Sequence, residues 1–283
     1  MDNWQEAWHI RTTNFPMEIG MVRPRQTLPI SLTGTHCALG CAHCAGHYLR
    51  GMVDVQHADA AGMTSCLISG GCDEQGRVPV TAHLEQVAAL RAGRVLNWHV
   101  GFVDEHDIHT IAPFVDMVSF DFVGDDVTIQ EVYGFAHTVD DYARAYALLR
   151  QYFRVIPHLT LGLRGGCFSG EYAALDRLRS LGLDALAVLV FMPTAGTRYA
   201  GCPEPPLDEI NQFLLHARCA LPDTPIYLGC MRPGGRYRRE LDSCAVRAGV
   251  NKIVNPTPPA VRLAEELGLT LRWETECCVI EQP

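Results

Sequence analysis

Three cysteines, Cys37, Cys41 and Cys44, fall within eight residues in the stretch GTHCALGCAHCAGHY, spaced C-x3-C-x2-C. Thiols gathered so closely serve metal or redox chemistry, but three is an unusual number. A structural zinc site takes four protein ligands, and a disulfide takes an even number of cysteines. A cubane iron–sulfur cluster is normally held by four thiolates. Held by three, it keeps one iron open for a ligand that is not protein.

The composition agrees with metal chemistry inside a reducing compartment. The chain has 283 residues and twelve cysteines, and its start, MDNWQEAWHIRTTNFP, lacks the basic-then-apolar pattern of a signal peptide. A cytoplasmic protein is expected, in which cysteines read as metal or redox sites rather than as a disulfide framework. No uncharged apolar run approaches the roughly 18 residues that span a bilayer, so no membrane partner is expected. A net charge of −9 argues against nucleic acid as a partner, because phosphate binding needs a basic surface. With 48% hydrophobic residues the chain can build a large core.

The elements that must position the cysteines alternate. Strand-like runs are read near 28–34, 65–71, 95–102, 117–124, 154–163, 185–193, 225–231 and 252–256, with helical stretches between them. One such helix, TVDDYARAYALLRQYF, opens with Thr138 and Asp141, which suit an N-terminal cap. Eight βα units predict an α/β fold, a (β/α)8 TIM-type barrel over residues 1–268. Residues 269–283 are left as a short C-terminal tail, expected to lie over the rim. In such a barrel the chemistry sits at the C-terminal ends of the strands. The cysteine loop begins there, after the first strand. SGGCDEQG, VGDD, LRGGCFSGE, MPTAGTRY and CMRPGG follow later strands at the same rim.

Residues two apart share a face of a strand. That groups Asn97 with His99, Ser119 with Asp121, His158 with Thr160 and Gly162, and Cys230 with Arg232. If these faces point inward, the upper barrel is a polar chamber; if they point outward, they are ordinary solvated positions. Cys66 in a strand and Cys219 and Cys244 in helices read as buried structural thiols. Cys167 and Cys202 lie in loops.

C-x3-C-x2-C at the top of a first barrel strand resembles the signature of the radical SAM superfamily. The resemblance implies that Cys37, Cys41 and Cys44 hold a 4Fe–4S cluster whose fourth iron is chelated by S-adenosylmethionine (SAM). It further implies reductive cleavage of SAM to a 5′-deoxyadenosyl radical, with reduced ferredoxin or flavodoxin as electron donor. Ile68 to Gly71, ISGG, stands where the family's Gly-Gly-Glu motif contacts SAM, so Gly70 and Gly71 are expected there; glycines suit a close backbone approach. HLTLGLRGGCFSGE resembles the fifth-strand glycine motif, implicating Gly162 and Glu171. FMPTAGT resembles the segment flanking adenine, implicating Met192 and Pro193. Asp121 and Asp125 are expected ribose or substrate contacts. There are two departures: His43 replaces a common aromatic before the third cysteine, and Cys72 replaces the glutamate after Gly-Gly.

Within the superfamily, MPTAGTRYAGCPEPPLDEI and YLGCMRPGG look like the biotin synthase branch, where an arginine on the seventh strand helps to hold a second cluster. Arg232 is the matching residue. The wider pattern most resembles the smaller subunit of the archaeal-type two-component lipoyl synthase. That implies sulfur insertion into an octanoyl chain on a carrier-protein lysine, together with a second radical SAM subunit. An auxiliary 4Fe–4S cluster would then draw on Cys72, Cys230, Cys277 and Cys278. The alternative is an enzyme of the same branch that acts on a small molecule, or in metallocofactor maturation, without sulfur insertion.

Overall fold

The computed structural model describes residues 3–281. Its strands are β1 (Glu18–Val22), β2 (Thr27–Ser31), β3 (Val53–Asp54), β4 (Ser65–Ser69), β5 (Val95–His99) and β6 (Met117–Asp121), then β7 (Val155–Leu161), β8 (Leu186–Val190), β9 (Ile226–Leu228), β10 (Lys252–Val254) and β11 (Thr270–Glu274). The helices are α1 (Asn3–Asn14), α2 (Leu84–Leu90), α3 (Glu105–Ile111), α4 (Asp126–Val132) and α5 (Val139–Arg150), then α6 (Glu171–Leu181), α7 (Leu207–Ala220), α8 (Gly235–Arg247) and α9 (Pro258–Glu266). Among the described residues no helix is long and apolar enough to cross a membrane.

All strands pair in parallel, in the order β11-β1-β10-β9-β8-β7-β6-β5-β4-β2-β3. The eight expected strands are β2 and β4 to β10, side by side in chain order, so the predicted α/β barrel-type architecture stands. Parallel strands are sandwiched between helices and an interior, which favours continuous apolar runs; β8, LAVLV, is buried at all five positions. Thr138 and Asp141 form the expected capping box on α5.

The sheet curls without strand eight meeting strand one. Instead β10 pairs with β1, β11 lies outside β1, and the free side of β2 takes the short β3. Gly20 allows this packing in β1, because a Cβ there would come within 2.7 Å of Lys252 Cγ and 2.9 Å of Glu274 Oε1.

The tail departs from expectation. It contributes β11 and then turns under the N-terminal ends of the strands, away from the rim that carries the cysteine loop. Cys277 N–H donates to Thr27 Oγ1 at 2.7 Å, and Gln26 N–H donates to Thr275 O at 3.0 Å. The buried Glu276 carboxylate accepts from the hydroxyls of Thr27, Thr64 and Ser65. Cys278, Val279 and Ile280 pack with Val22, Met117, Ile156, Ala187, Tyr227 and Val254. Met117 and Ile156 share strand faces with Asp121 and His158, so this apolar plug closes the interior from below. The reason is local: Val279 and Ile280 need burial, and Glu276 finds hydroxyl donors at the starts of β2 and β4.

Candidate active site

The cysteine loop leaves β2 and is held by its neighbours rather than by structure of its own. Thr33 Oγ1 donates to His36 O at 2.8 Å and accepts from Gly71 N–H at 2.7 Å. Ala38 N–H donates to Cys72 O at 2.8 Å, and Cys72 N–H reaches Cys37 Sγ at 3.4 Å. A Cβ on Gly71 would overlap the His36 carbonyl and lie 2.7 Å from Cys37 Cα. The loop after β4 therefore lies directly against the first cysteine, and only glycine permits it. Gly70 is less constrained, with its nearest atoms 3.4 Å from such a Cβ.

The three thiols share one neighbourhood. Burial pushes the Cys41 thiol up, and Cys44, Cys37 and Cys72 push it further. Burial and Cys37 likewise push Cys72 up to about 12. Thiolates crowded in this way repel one another unless a shared cation stabilises them, and coordination deprotonates a thiol outright. Among the described residues no three His, Cys, Asp or Glu side chains close on a point that could hold one metal ion. A cubane cluster does not require that, because each thiolate binds a different iron. The soft donors, the close backbone approach at Gly71 and an orphaned buried nitrogen, His43 Nδ1, together fit an iron–sulfur cluster with a ligand above it.

His43 lies between Tyr48 and Tyr133, at ring-centroid separations of 6.5 and 5.9 Å. Burial drives its pKa down to about 4 against the pull of Asp121, so it is neutral at pH 7. Tyr48 in turn shares a 3.1 Å hydrogen bond with Thr194, which fixes the segment holding half-buried Met192 and Pro193 beside the loop.

Below the loop the strands present a polar ring. His99 Nε2 lies 3.4 Å from Asp121 Oδ1, and the His99 and His158 rings are 5.3 Å apart. Burial would raise the Asp121 carboxyl, but His99, His158 and His43 outweigh it and hold it down at about 2. Burial opposes the charge on His99, yet Asp121 raises its pKa overall. His158 is pushed down to about 4 by burial and by His99. Its Nδ1 lies 3.2 Å from Ile156 O, an arrangement in which Nδ1 carries the proton. One layer lower, Ser119 Oγ donates to Asn97 Oδ1 at 3.1 Å, and Asn97 Nδ2 reaches Cys277 Sγ at 3.9 Å. Of the two readings left open by alternation, these contacts fit the inward one for Asn97, His99, Ser119, Asp121 and His158.

Other expected residues take structural places. Arg232 does not line the chamber. Its side chain is fully buried, with Nε donating to Asp242 Oδ1 at 2.8 Å and the other nitrogens to Gly229 O and Val254 O. The Glu171 carboxylate accepts from Gly162 N–H at 2.9 Å and Ser169 N–H at 2.6 Å, shaping the turn after β7 rather than offering a free oxygen. Gly162, at φ +66°, is needed there because a Cβ would strike Pro205. Asp125 caps α4 through Thr128 N–H at 2.8 Å, and its other oxygen is buried without a hydrogen-bond partner. Of the four remaining cysteines, Cys72 stands apart from the other three, which lie near one another. Cys72 lies with the triad, Cys230 is exposed after β9, Cys277 is at the chamber floor and Cys278 is in the apolar plug. Tyr48, Tyr133, Thr194 and Tyr199 escaped the sequence reading, since nothing local marks an aromatic that packs against a distant loop.

No protein-family model matches the chain, and none of the curated proteins matches it. Solved structures do resemble it. Methylornithine synthase (PylB) is 14% identical with a TM-score of 0.64, over 95% of this chain and 88% of that one. The [FeFe]-hydrogenase maturase HydG from Carboxydothermus hydrogenoformans is 13% identical with a TM-score of 0.69, over 95% and 71%. HMG-CoA lyase from Brucella melitensis is 12% identical with a TM-score of 0.52, over 92% and 93%. At these identities the likeness concerns the fold alone: a curled parallel sheet with helices, of the TIM-barrel type.

Proposed function

We propose that this chain is a radical SAM enzyme that abstracts hydrogen from a small polar substrate held between the cysteine loop and the His99–Asp121–His158 ring. The observation that carries this is a three-thiol loop held by neighbouring rim segments above a polar ring of His99, Asp121 and His158. Cys37, Cys41 and Cys44 would hold the cluster, with the backbone at Gly70 and Gly71, the His43 ring, Met192 and Pro193 around SAM. Bound there, the pair supplies a 5′-deoxyadenosyl radical from SAM and one electron, for which reduced ferredoxin or flavodoxin is the fitting donor. The protein orients the substrate through the ionised Asp121 carboxylate and the two imidazoles, and the plug keeps bulk water out from below.

Sulfur insertion into an octanoyl chain, with an auxiliary cluster and a second subunit, is the finer reading from the sequence resemblance. Its support in the molecule is the pair of thiols at Cys230 and Cys277, close enough to repel one another. The polar ring favours the alternative without sulfur insertion. An alkyl chain there would bury the part-exposed Asp121 and His99 side chains against hydrocarbon, at a cost of roughly 1–3 kcal/mol for each polar group left unpaired.

The test is anaerobic reconstitution followed by iron counting and detection of 5′-deoxyadenosine from SAM under reduction. Replacement of all three loop cysteines by alanine should abolish 5′-deoxyadenosine; a triple variant that still cleaves SAM would sink the assignment. Turnover of an octanoyl-lysine peptide would restore the lipoyl reading.

A further inference from the structure

The polar ring is unevenly satisfied. His99 Nε2 faces only one oxygen of Asp121, Oδ1, at 3.4 Å, and among the described residues no donor reaches Oδ2. The Asp121 side chain is 49% exposed although β6 lies in the middle of the sheet, so that oxygen opens into the chamber rather than into protein. On the next strand His158, level with Asp121 in the parallel register, gives its Nδ1–H to Ile156 O at 3.2 Å. Its Nε2 keeps a lone pair, and burial with His99 beside it keeps that lone pair unprotonated at neutral pH. Two acceptors therefore stand side by side, and the protein gives neither a donor.

The surroundings are committed elsewhere. The layer below is closed on itself: Ser119 Oγ donates to Asn97 Oδ1 at 3.1 Å, Asn97 Nδ2 turns to Cys277, and neither residue is more than 2% exposed. The cations nearest the strands are engaged, Arg232 with Asp242 at 2.8 Å and Lys252 with Glu274 at 2.7 Å. An ionised carboxylate withdrawn from bulk water needs both donors and a compensating charge. An ammonium brings a full charge and three donors with no acceptor. A hydroxyl would fill one acceptor and leave the charge, and an anionic group would meet Asp121 with neither cation free to receive it.

We propose that the substrate is a primary amine, bound as its ammonium by Asp121 Oδ2 and His158 Nε2. The proposal rests on the radical reading in calling this amine a substrate; the ammonium site itself is a property of the ring. Because the Asn97–Ser119 layer closes the space beneath, the carbon chain of the amine extends upward, towards the cysteine loop, where the radical reading has hydrogen taken. The ring thus fixes the nitrogen end of the molecule and leaves the carbon end to the chemistry.

The experiment compares three probes of one carbon skeleton, n-butylamine, n-butanol and butanoate, by titration calorimetry on the anaerobically reconstituted protein. The amine should bind at least about tenfold more tightly than the alcohol, the share of one charge-assisted hydrogen bond, and butanoate should give no binding. This comparison needs no variant. Asp121→Asn, which keeps the shape of the side chain, should remove the preference for the amine, and His158→Phe should reduce it. Equal affinities for the three probes would overturn the proposal. So would an Asp121→Asn protein that loses affinity for SAM while keeping the amine preference, which would give the carboxylate to the ribose. SAM cleavage under reduction is measured on the same preparation. Formation of 5′-deoxyadenosine without amine selectivity would overturn the proposal and leave the radical reading standing. Amine selectivity without 5′-deoxyadenosine would overturn the radical reading, and the substrate role with it, leaving an ammonium site alone.

Discussion

The N–H of Ala42 donates to Val132 O at 2.7 Å, and the carbonyl of Ala42 accepts from Tyr199 N–H at 3.0 Å. Ala42 lies between Cys41 and Cys44, so the middle of the cysteine loop is fastened by backbone alone to the end of α4 and to the segment after β8. Glu131, next to Val132, adds side-chain ties to Arg164 at 2.6 Å and to Tyr199 at 2.7 Å. Three rim segments therefore set the loop before any metal arrives, which limits the reorganisation that cluster insertion requires.

Gly71 and Gly70 should respond differently to alanine. A methyl at position 71 meets the His36 carbonyl and Cys37, whereas at position 70 it meets only ordinary contacts at 3.4 Å. Gly71→Ala should lose most bound iron and its visible absorbance after reconstitution, with Gly70→Ala retaining both. Equal iron content in the two variants would contradict the close approach at Gly71.

Arg232→Ala should act on stability. Removing one partner of a fully buried ion pair costs about 3–5 kcal/mol, and Asp242 would be left charged without its partner. Urea unfolding of Arg232→Ala and Asp242→Ala should show similar large losses, and the double variant should lose less than their sum. An Arg232→Ala protein of normal stability that failed only in SAM cleavage would return Arg232 to the chemistry.

The His99–Asp121 pair sets a pH dependence with a definite sign. His99 is raised above its usual 6.5, so its contribution to stability is complete below 6.5 and fades as pH rises through its folded value. Asp121 falls from 3.8 to about 2, so its contribution is present above 3.8 and fades as pH falls through about 2. Asp121→Asn should drop the His99 pKa, because burial, which lowers it, is then opposed only by the weaker influence of Cys277. Histidine proton NMR measures this directly, and the stability lost by the variant should be larger below 6.5 than well above it.

Glu276→Ala should loosen the floor. Three hydroxyls, on Thr27, Thr64 and Ser65, lose a charged acceptor in a buried place, and leaving such groups unsatisfied costs about 1–3 kcal/mol. Glu276→Gln, which keeps an acceptor oxygen, should fall between. Hydrogen exchange at Cys277 and Ile280 should accelerate in the same order.

Much of this was legible from spacing. The C-x3-C-x2-C loop is local, and the eight strands announce themselves as apolar runs between capped helices. The polar ring was half reachable: alternation grouped Asn97 with His99, Ser119 with Asp121 and His158 with Thr160, leaving the direction of each face open, and the parallel register pairs His99 with Ser119 and Asp121 with His158. What escaped depended on partners far along the chain. β1 is short and broken by Gly20, β3 has two residues, and β11 mixes Arg272 and Glu274 into its run; each is a strand because of the edge it finds. Arg232 looked free until Asp242 on α8 took it. The placing of Cys277 under the chamber depended on which mouth of the barrel the tail entered.

The pairing of β1 has a consequence for the order in which the molecule can be made. The hydrogen-bonding edges of residues 18–22 are met by residues 252–254 on one side and 270–274 on the other, both far along the chain. Until those distant strands arrive, β1 is an unpaired edge carrying Ile19, Met21 and Val22, which end up fully buried. Loop closure over such a separation is slow relative to local pairing, and exposed strand edges invite pairing between chains. The arrival of β10 and β11 at β1 therefore decides whether that edge is closed within the sheet or meets another chain.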